Sequence, residues 1–184
     1  MSSPSVAEVF LAAAATALAT GLGALPLLVY RASRGLGPLG IANALAAGVM
    51  VGASLSLVLE GGDRSVPRTA AGVVAGALFV LVAGRSLRHD HGELTVGSLH
   101  GDDARKGLLI VGVMTVHSAA EGIGVGSAFG GGAALGVLIT IAIAVHNIPE
   151  GLAISLVLVP RGVGVARSAG WSVFSSLPQP LLAV

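Results

Sequence analysis

The sequence specifies an all-α polytopic membrane protein, and three observations carry that reading. Of its 184 residues, 54% are hydrophobic and 10% charged, with a mean hydropathy of +0.90, whereas a soluble domain carries roughly 25% charged residues. The apolar residues fall in runs near the ~20 that a helix needs to cross hydrocarbon. The few basic residues cluster in alternate gaps between those runs, as in a chain threaded through a bilayer. The lipid bilayer is therefore the first partner. A formal net charge of +1 gives no basis for a nucleic-acid partner. The absence of cysteine excludes thiolate metal sites and disulfides.

The first span runs about 6–30 and contains Gly21-Leu22-Gly23-Ala24-Leu25-Pro26. It lacks a basic leader and is too long for a signal-peptide core, so it counts as a span. The second runs about 38–59, the third 69–87, the fourth 107–129 and the fifth 133–159. A sixth begins near Ser168 and reaches only Val184. That makes five complete transmembrane helices and a partial sixth in a single transmembrane domain, 1–184. The 28 glycines suit helices packed through small-residue faces, with Gly48/Gly52, Gly72/Gly76 and Gly122/Gly126 as candidates.

The loops orient the bundle. Arg31 and Arg34 follow the first span, Arg85, Arg88, Arg105 and Lys106 flank the third gap, and Arg161 and Arg167 follow the fifth. The other side holds only Arg64 and Arg68. The positive-inside rule then puts the N-terminus outside and the 88–106 loop in the cytoplasm. Tyr30 falls at the inner interface, and Glu60 and Asp63 at the outer mouth.

The fifth span carries a polar stretch, Val145-His146-Asn147-Ile148-Pro149-Glu150-Gly151, in the middle of an apolar run. A charged side chain at the bilayer centre costs at least ~2.5–3.5 kcal/mol, so such residues mark function. His146 and Glu150 are four apart and share a helix face. Pro149 donates no hydrogen bond and frees the carbonyl of Val145. The fourth span repeats the pattern as Val116-His117-Ser118-Ala119-Ala120-Glu121-Gly122. The two spans are joined by the short turn Gly130-Gly131-Gly132 and must be antiparallel neighbours. That sets His117 at the depth of Glu150 and Glu121 at the depth of His146. Two imidazoles and two carboxylates suit a borderline divalent ion such as Zn²⁺, Fe²⁺ or Mn²⁺. A paired set of carboxylates also neutralises a dication that hydrocarbon would otherwise exclude.

These twin motifs, with the GLGALP stretch and Met50-Val51-Gly52-Ala53-Ser54, resemble the ZIP (Zrt-, Irt-like protein) metal transporters, prokaryotic branch. The resemblance covers nearly the whole chain. It implies a ZIP-like helical bundle with both termini outside that carries divalent metal, zinc foremost, into the cytoplasm. It implies a binuclear site between the fourth and fifth helices. His117, Glu121, His146 and Glu150 would line one position. Ser118, Glu121, Asn147 and Glu150 would line the other, with a carboxylate from the sixth helix. In place of that carboxylate stands Gln179, so one strong position and one weak or vacant position are expected. Ser118 and Ala120 replace the family's usual Asn and Pro, so the fourth helix should be less kinked. Family members have eight helices, which implies that this chain is truncated in its sixth. Such a piece is expected to be oligomeric or unstable, and a poor transporter alone.

The metal is the transported substrate, and no resident cofactor is implied. An intramembrane metal-dependent hydrolase is the alternative in another class. It would need an open coordination position and a free carboxylate base, and no H-E-x-x-H occurs. An inactive remnant or assembly module is the third reading. In the 88–106 loop, His89, Asp90, His91, Glu93, His100, Asp102 and Asp103 are either a metal-receiving segment or a plain solvated loop. The place of such a protein is the cell membrane, as a multi-pass chain. A cysteine placed at Ser98 should resist an impermeant thiol reagent added outside intact cells, while one at Ser3 should react. The reverse labelling pattern would invert the orientation.

Overall fold

The computed structural model describes residues 4–29, 37–89, 95–96 and 98–184. The expectations placed on Tyr30, Arg31, Arg34, Asp90, His91 and Glu93 lie outside them, as do those on the side chains of Glu60, Arg88 and His89. The described chain is almost wholly helical, an all-α polytopic membrane protein. Helix α1 (Val6–Leu22) opens with a capping box. The Glu8 amide donates to Ser5 Oγ at 3.3 Å and the Ser5 amide donates to the Glu8 carboxylate at 2.7 Å. The first span is not one helix to residue 30. It turns at Gly23 and resumes as the single turn α2 (Pro26–Val29), because Pro26 has no N–H to continue the ladder.

Helix α3 (Gly37–His89) holds the second and third expected spans. The loop expected between 59 and 69 reduces to one extended residue, Ser65, at φ −166° and ψ 97°. Pro67 explains the break, since its ring clashes with a helical carbonyl four residues earlier. The chain reverses there sharply enough that a Cβ on Gly61 would come within 2.8 Å of Thr69 Oγ1.

A two-residue hairpin follows, β1 (Thr95–Val96) pairing antiparallel with β2 (Leu99–His100). Helix α4 (Gly101–Gly130) then starts earlier than residue 107, so the 88–106 loop is shorter than expected. Asp102 and Asp103 sit in its first turn, where the helix dipole favours negative charge. Helix α5 (Ala133–Leu158) follows Gly132, whose φ of 128° favours glycine, and passes through a 3₁₀ turn, Val159–Arg161. The sixth segment begins at Val165 rather than Ser168 and is divided into α6 (Val165–Ser176) and α7 (Pro178–Leu182).

Five complete spans and a partial sixth were expected. Among the described residues, four segments are long and apolar enough to cross a membrane: Val6–Val29, Gly61–Val82, Gly101–Gly130 and Ala133–Arg161. Residues 38–59 lie in the part of α3 before Ser65, a helix that this kink separates from the part that follows.

Helix α5 is the centre of the bundle, with α1 on one side and α4 on the other. Glycine makes the first of these contacts possible. A Cβ on Gly151 would collide with the Thr20 carbonyl, and one on Gly23 with the backbone of Ile148 and Leu152. Of the anticipated small-residue faces, Gly122/Gly126 does pack, against the backbone of Gln179 and Ala183 in α7. A Cβ on Gly48, Gly72 or Gly76 would meet nothing within 4 Å, because those stretches of α3 face outward. Apolar clusters close the two ends of the bundle. One joins Leu99, Val111, Met114, Ile154, Leu158 and Val163, and the other joins Val9, Ala13, Val125, Phe129 and Ala183. Arg161 donates to Asp103 at 2.9 Å, which ties the end of α5 to the start of α4.

Gly151→Ala should therefore lower stability by about 1–3 kcal/mol through overpacking against α1. Gly124→Ala, which meets nothing within 4 Å, should be neutral or mildly stabilising. Thermal unfolding in detergent micelles distinguishes the two.

Candidate metal centre

The two V-H-x-x-x-E-G stretches meet where α4 and α5 cross. Because the helices run antiparallel, each histidine faces the other helix's glutamate. His117 Nε2 lies 2.8 Å from Glu150 Oε1 and 3.6 Å from Glu121 Oε1. His146 Nε2 lies 3.4 Å from Glu150 Oε1 and 3.9 Å from Glu121 Oε1. One ligand atom from each of the four side chains can be chosen so that all lie within 4.8 Å of one another. A tetrahedral ion with ligands at ~2.0–2.1 Å sets neighbouring ligand atoms roughly 3.3 Å apart. The cluster is already close to those spacings.

The contacts between these groups are not aligned as hydrogen bonds. His117 Nε2 and both oxygens of Glu150 are buried without a hydrogen-bond partner. Ligand atoms close together and without hydrogen-bond partners are what a cation site requires. A buried carboxylate with no donor would otherwise be strongly unfavourable. Burial is graded across the cluster. The Glu150 side chain is 1% exposed while His117 retains 39%, so the cluster is most open at His117.

The three remaining sequence candidates stand beside the cluster in different roles. Gln179, fully buried on α7, donates its side-chain amide to Glu121 Oε2 at 2.5 Å. Its oxygen accepts from Thr16 Oγ1 at 2.6 Å and from Asn147 Nδ2 at 3.0 Å. Asn147 also donates to the Thr16 carbonyl at 2.7 Å, which leaves its Oδ1 buried and without a partner. Ser118 is buried, with its hydroxyl 3.5 Å from that of Ser176. The unproline-bearing α4 runs unbroken through its motif, while Pro149 lies inside α5.

Sequence reading missed the support from α1 and α6. Thr16 and Thr20 are fully buried; Thr20 Oγ1 lies 2.7 Å from Ser176 Oγ. On α6, Ser168, Ser172 and Ser176 form a buried face, and Ser168 donates to Ser155 of α5 at 3.0 Å. The available signal was their spacing of four within otherwise apolar helices, which places each set on one face.

Fold and cluster together define a helical membrane protein with a two-histidine, two-carboxylate centre between two of its spans. The chain is 46% identical over 185 residues to a protein of Arabidopsis thaliana that carries the provisional name of a zinc transporter. The match covers 98% of this chain and 29% of the relative, so the chain spans under a third of that protein's length. No protein-family model matches the chain.

Glu121→Ala and Glu150→Ala should each abolish binding of Zn²⁺ or Cd²⁺ to the purified protein. Ser118→Ala should change it little. Gln179→Leu removes only the donor that orients Glu121 and should weaken binding by roughly 10–100-fold. Equal losses from all four variants in a titration would contradict this order.

Proposed function

We propose that the protein moves divalent transition metal ions, zinc foremost and iron or manganese next, across the cell membrane into the cytoplasm. It does so as a ZIP-type bundle whose transmembrane domain comprises residues 1–184. The ion would be held by His117, Glu121, His146 and Glu150, with Asn147, Ser118 and Gln179 as the flanking groups. The observation that carries the reading is the convergence of two imidazoles and two carboxylates, mid-span, from two antiparallel helices. The named relative supports the same class of cargo.

The donor set fits transport better than catalysis. All four groups offer a ligand atom within 4.8 Å of the others, so with all four engaged no carboxylate would be left aside to act as a base on a metal-bound water. Access from the His117 side would alternate with access from the opposite side as α3 shifts against α4 and α5. The N-terminus is taken as external and the α3–α4 connection as cytoplasmic, in keeping with the basic residues at that end. Arg161 and Asp103 at the joined ends of α4 and α5 agree with one shared, charged face there.

Reconstituted vesicles should accumulate radioactive zinc at a rate that saturates with Zn²⁺. Glu150→Gln, close in volume but without the charge, should reduce that rate to the level of empty vesicles. Uptake that survives Glu150→Gln unchanged would place the route elsewhere in the bundle.

A further inference from the structure

The side-chain amide of Gln179 occupies one of the two Glu121 oxygens, and what fixes that amide bears on which ion the centre accepts. We propose that Asn147 and Gln179 are positioning residues that limit Glu121 to one metal-facing oxygen and so favour Zn²⁺ over Mn²⁺. The inference rests on the proposed metal reading of the cluster.

Orientation is the first argument. A side-chain amide can be turned over, exchanging donor and acceptor, unless its partners forbid it. The Thr16 backbone carbonyl can only accept, and Asn147 Nδ2 donates to it at 2.7 Å. The reverse orientation of Asn147 would set two oxygens at that distance. With Nδ2 fixed there, its second hydrogen goes to the Gln179 amide 3.0 Å away, which must present its oxygen. Nε2 of Gln179 is then the atom left to face Glu121 Oε2. The Thr16 hydroxyl, 2.6 Å from the same Gln179 oxygen, supplies a second donor to it. A main-chain carbonyl on α1 thus decides, through two amides, what a carboxylate on α4 meets.

Geometry is the second argument. Glu121 Oε1 is turned to His117 and His146, at 3.6 and 3.9 Å, while Oε2 is turned to Gln179. Chelation by both oxygens would take Oε2 from a fully buried amide and leave its N–H unpaired. The main chain of α7 is itself set against α4 at this point. A Cβ on Gly122, the residue after Glu121, would come within 2.8 Å of the Gln179 Cα. Zinc is satisfied by four ligands, one atom from each of the clustered side chains. Manganese favours about six, mostly oxygens, and loses more from a carboxylate held to one oxygen.

The test titrates the full chain, purified in detergent, with Zn²⁺ and separately with Mn²⁺. The ratio of the two dissociation constants is the readout, because general damage to the centre weakens both ions together. Gln179→Leu should weaken Zn²⁺ binding by roughly 10–100-fold and leave Mn²⁺ binding unchanged or tighter, narrowing the ratio about tenfold or more. Asn147→Leu should move the ratio the same way. Gln179→Met, unbranched like glutamine, gives the same reading should the leucine variant not fold. Thr140→Val removes a hydroxyl that donates to the Gly136 carbonyl of its own helix and should leave both constants unchanged. A ratio that does not narrow in the Gln179 variants, or that ignores Asn147→Leu, overturns the inference and leaves the metal centre standing. A wild type that binds no Zn²⁺, or binding that survives Glu150→Ala, overturns the centre and this inference with it.

Discussion

The structure depends on one buried carboxylate. Glu150 is 1% exposed, neither of its oxygens has a hydrogen-bond donor, and it sits in the middle of the most central helix. Removing a carboxylate from water without compensation costs several kcal/mol, and more in hydrocarbon than in a soluble core. Two imidazoles at 2.8 and 3.4 Å from one of its oxygens do not compensate by hydrogen bonding, because the geometry is not that of donor to acceptor. A dication shared among all four groups, as proposed, would do so. The cost of burying Glu150 and the affinity for a metal are then the same quantity seen from two sides.

A second tier of polar contacts gives this centre its shape. Glu121 would be free to rotate about its side chain were Gln179 not donating to one of its oxygens. Gln179 is in turn fixed by Thr16 and Asn147, so residues from α1, α5 and α7 together orient Glu121, a proposed ligand, on α4. Gln179, Asn147 and Thr16 each donate to an acceptor inside the bundle, which is what low dielectric surroundings demand. An amide at position 179 also brings no negative charge. The proposed centre would therefore have two carboxylates to balance one dication and, among the described residues, no third carboxylate in the cluster to balance a second ion a few ångströms away.

How much of this could be read from residues alone follows from which physics is local. The two histidine–glutamate pairs were legible because a spacing of four fixes a shared helix face, and a short glycine turn fixes antiparallel packing. Membrane character was legible because hydropathy needs no partner. Thr16 and Thr20 were not, since a hydroxyl in an apolar helix ordinarily bonds to its own backbone, and the Ala13 carbonyl stands 2.7 Å from Thr16 Oγ1 as the alternative acceptor for its one hydrogen. Only the position of α7 makes Thr16 a partner of Gln179. Gly23 and Gly151 were equally silent. Among 28 glycines, nothing in sequence marks the two that let α1 and α5 touch. The break at Ser65 was misplaced as a loop because Pro67 says where a helix must yield and not how many residues it takes.

The same contacts decide which parts of the bundle can move. Helices α1 and α5 are locked by backbone approach at Gly23 and Gly151 and by the Asn147 amide on the Thr16 carbonyl. Helices α4 and α7 are locked in the same manner at Gly122 and Gly126. Sliding either pair would force backbone atoms through one another or strand buried amides, and packed interfaces of that kind move as units. Helix α3 has no such tie to α4 or α5 among the described residues; it presents Val73, Val74, Leu78 and Leu81 outward and touches its neighbours sparingly. His117, the most exposed of the four clustered side chains, is on the helix beside it. The opening and closing that the proposed transport requires would therefore fall to α3 moving over a body made of α1, α4, α5 and α7, with the geometry of the four side chains carried unchanged inside that body.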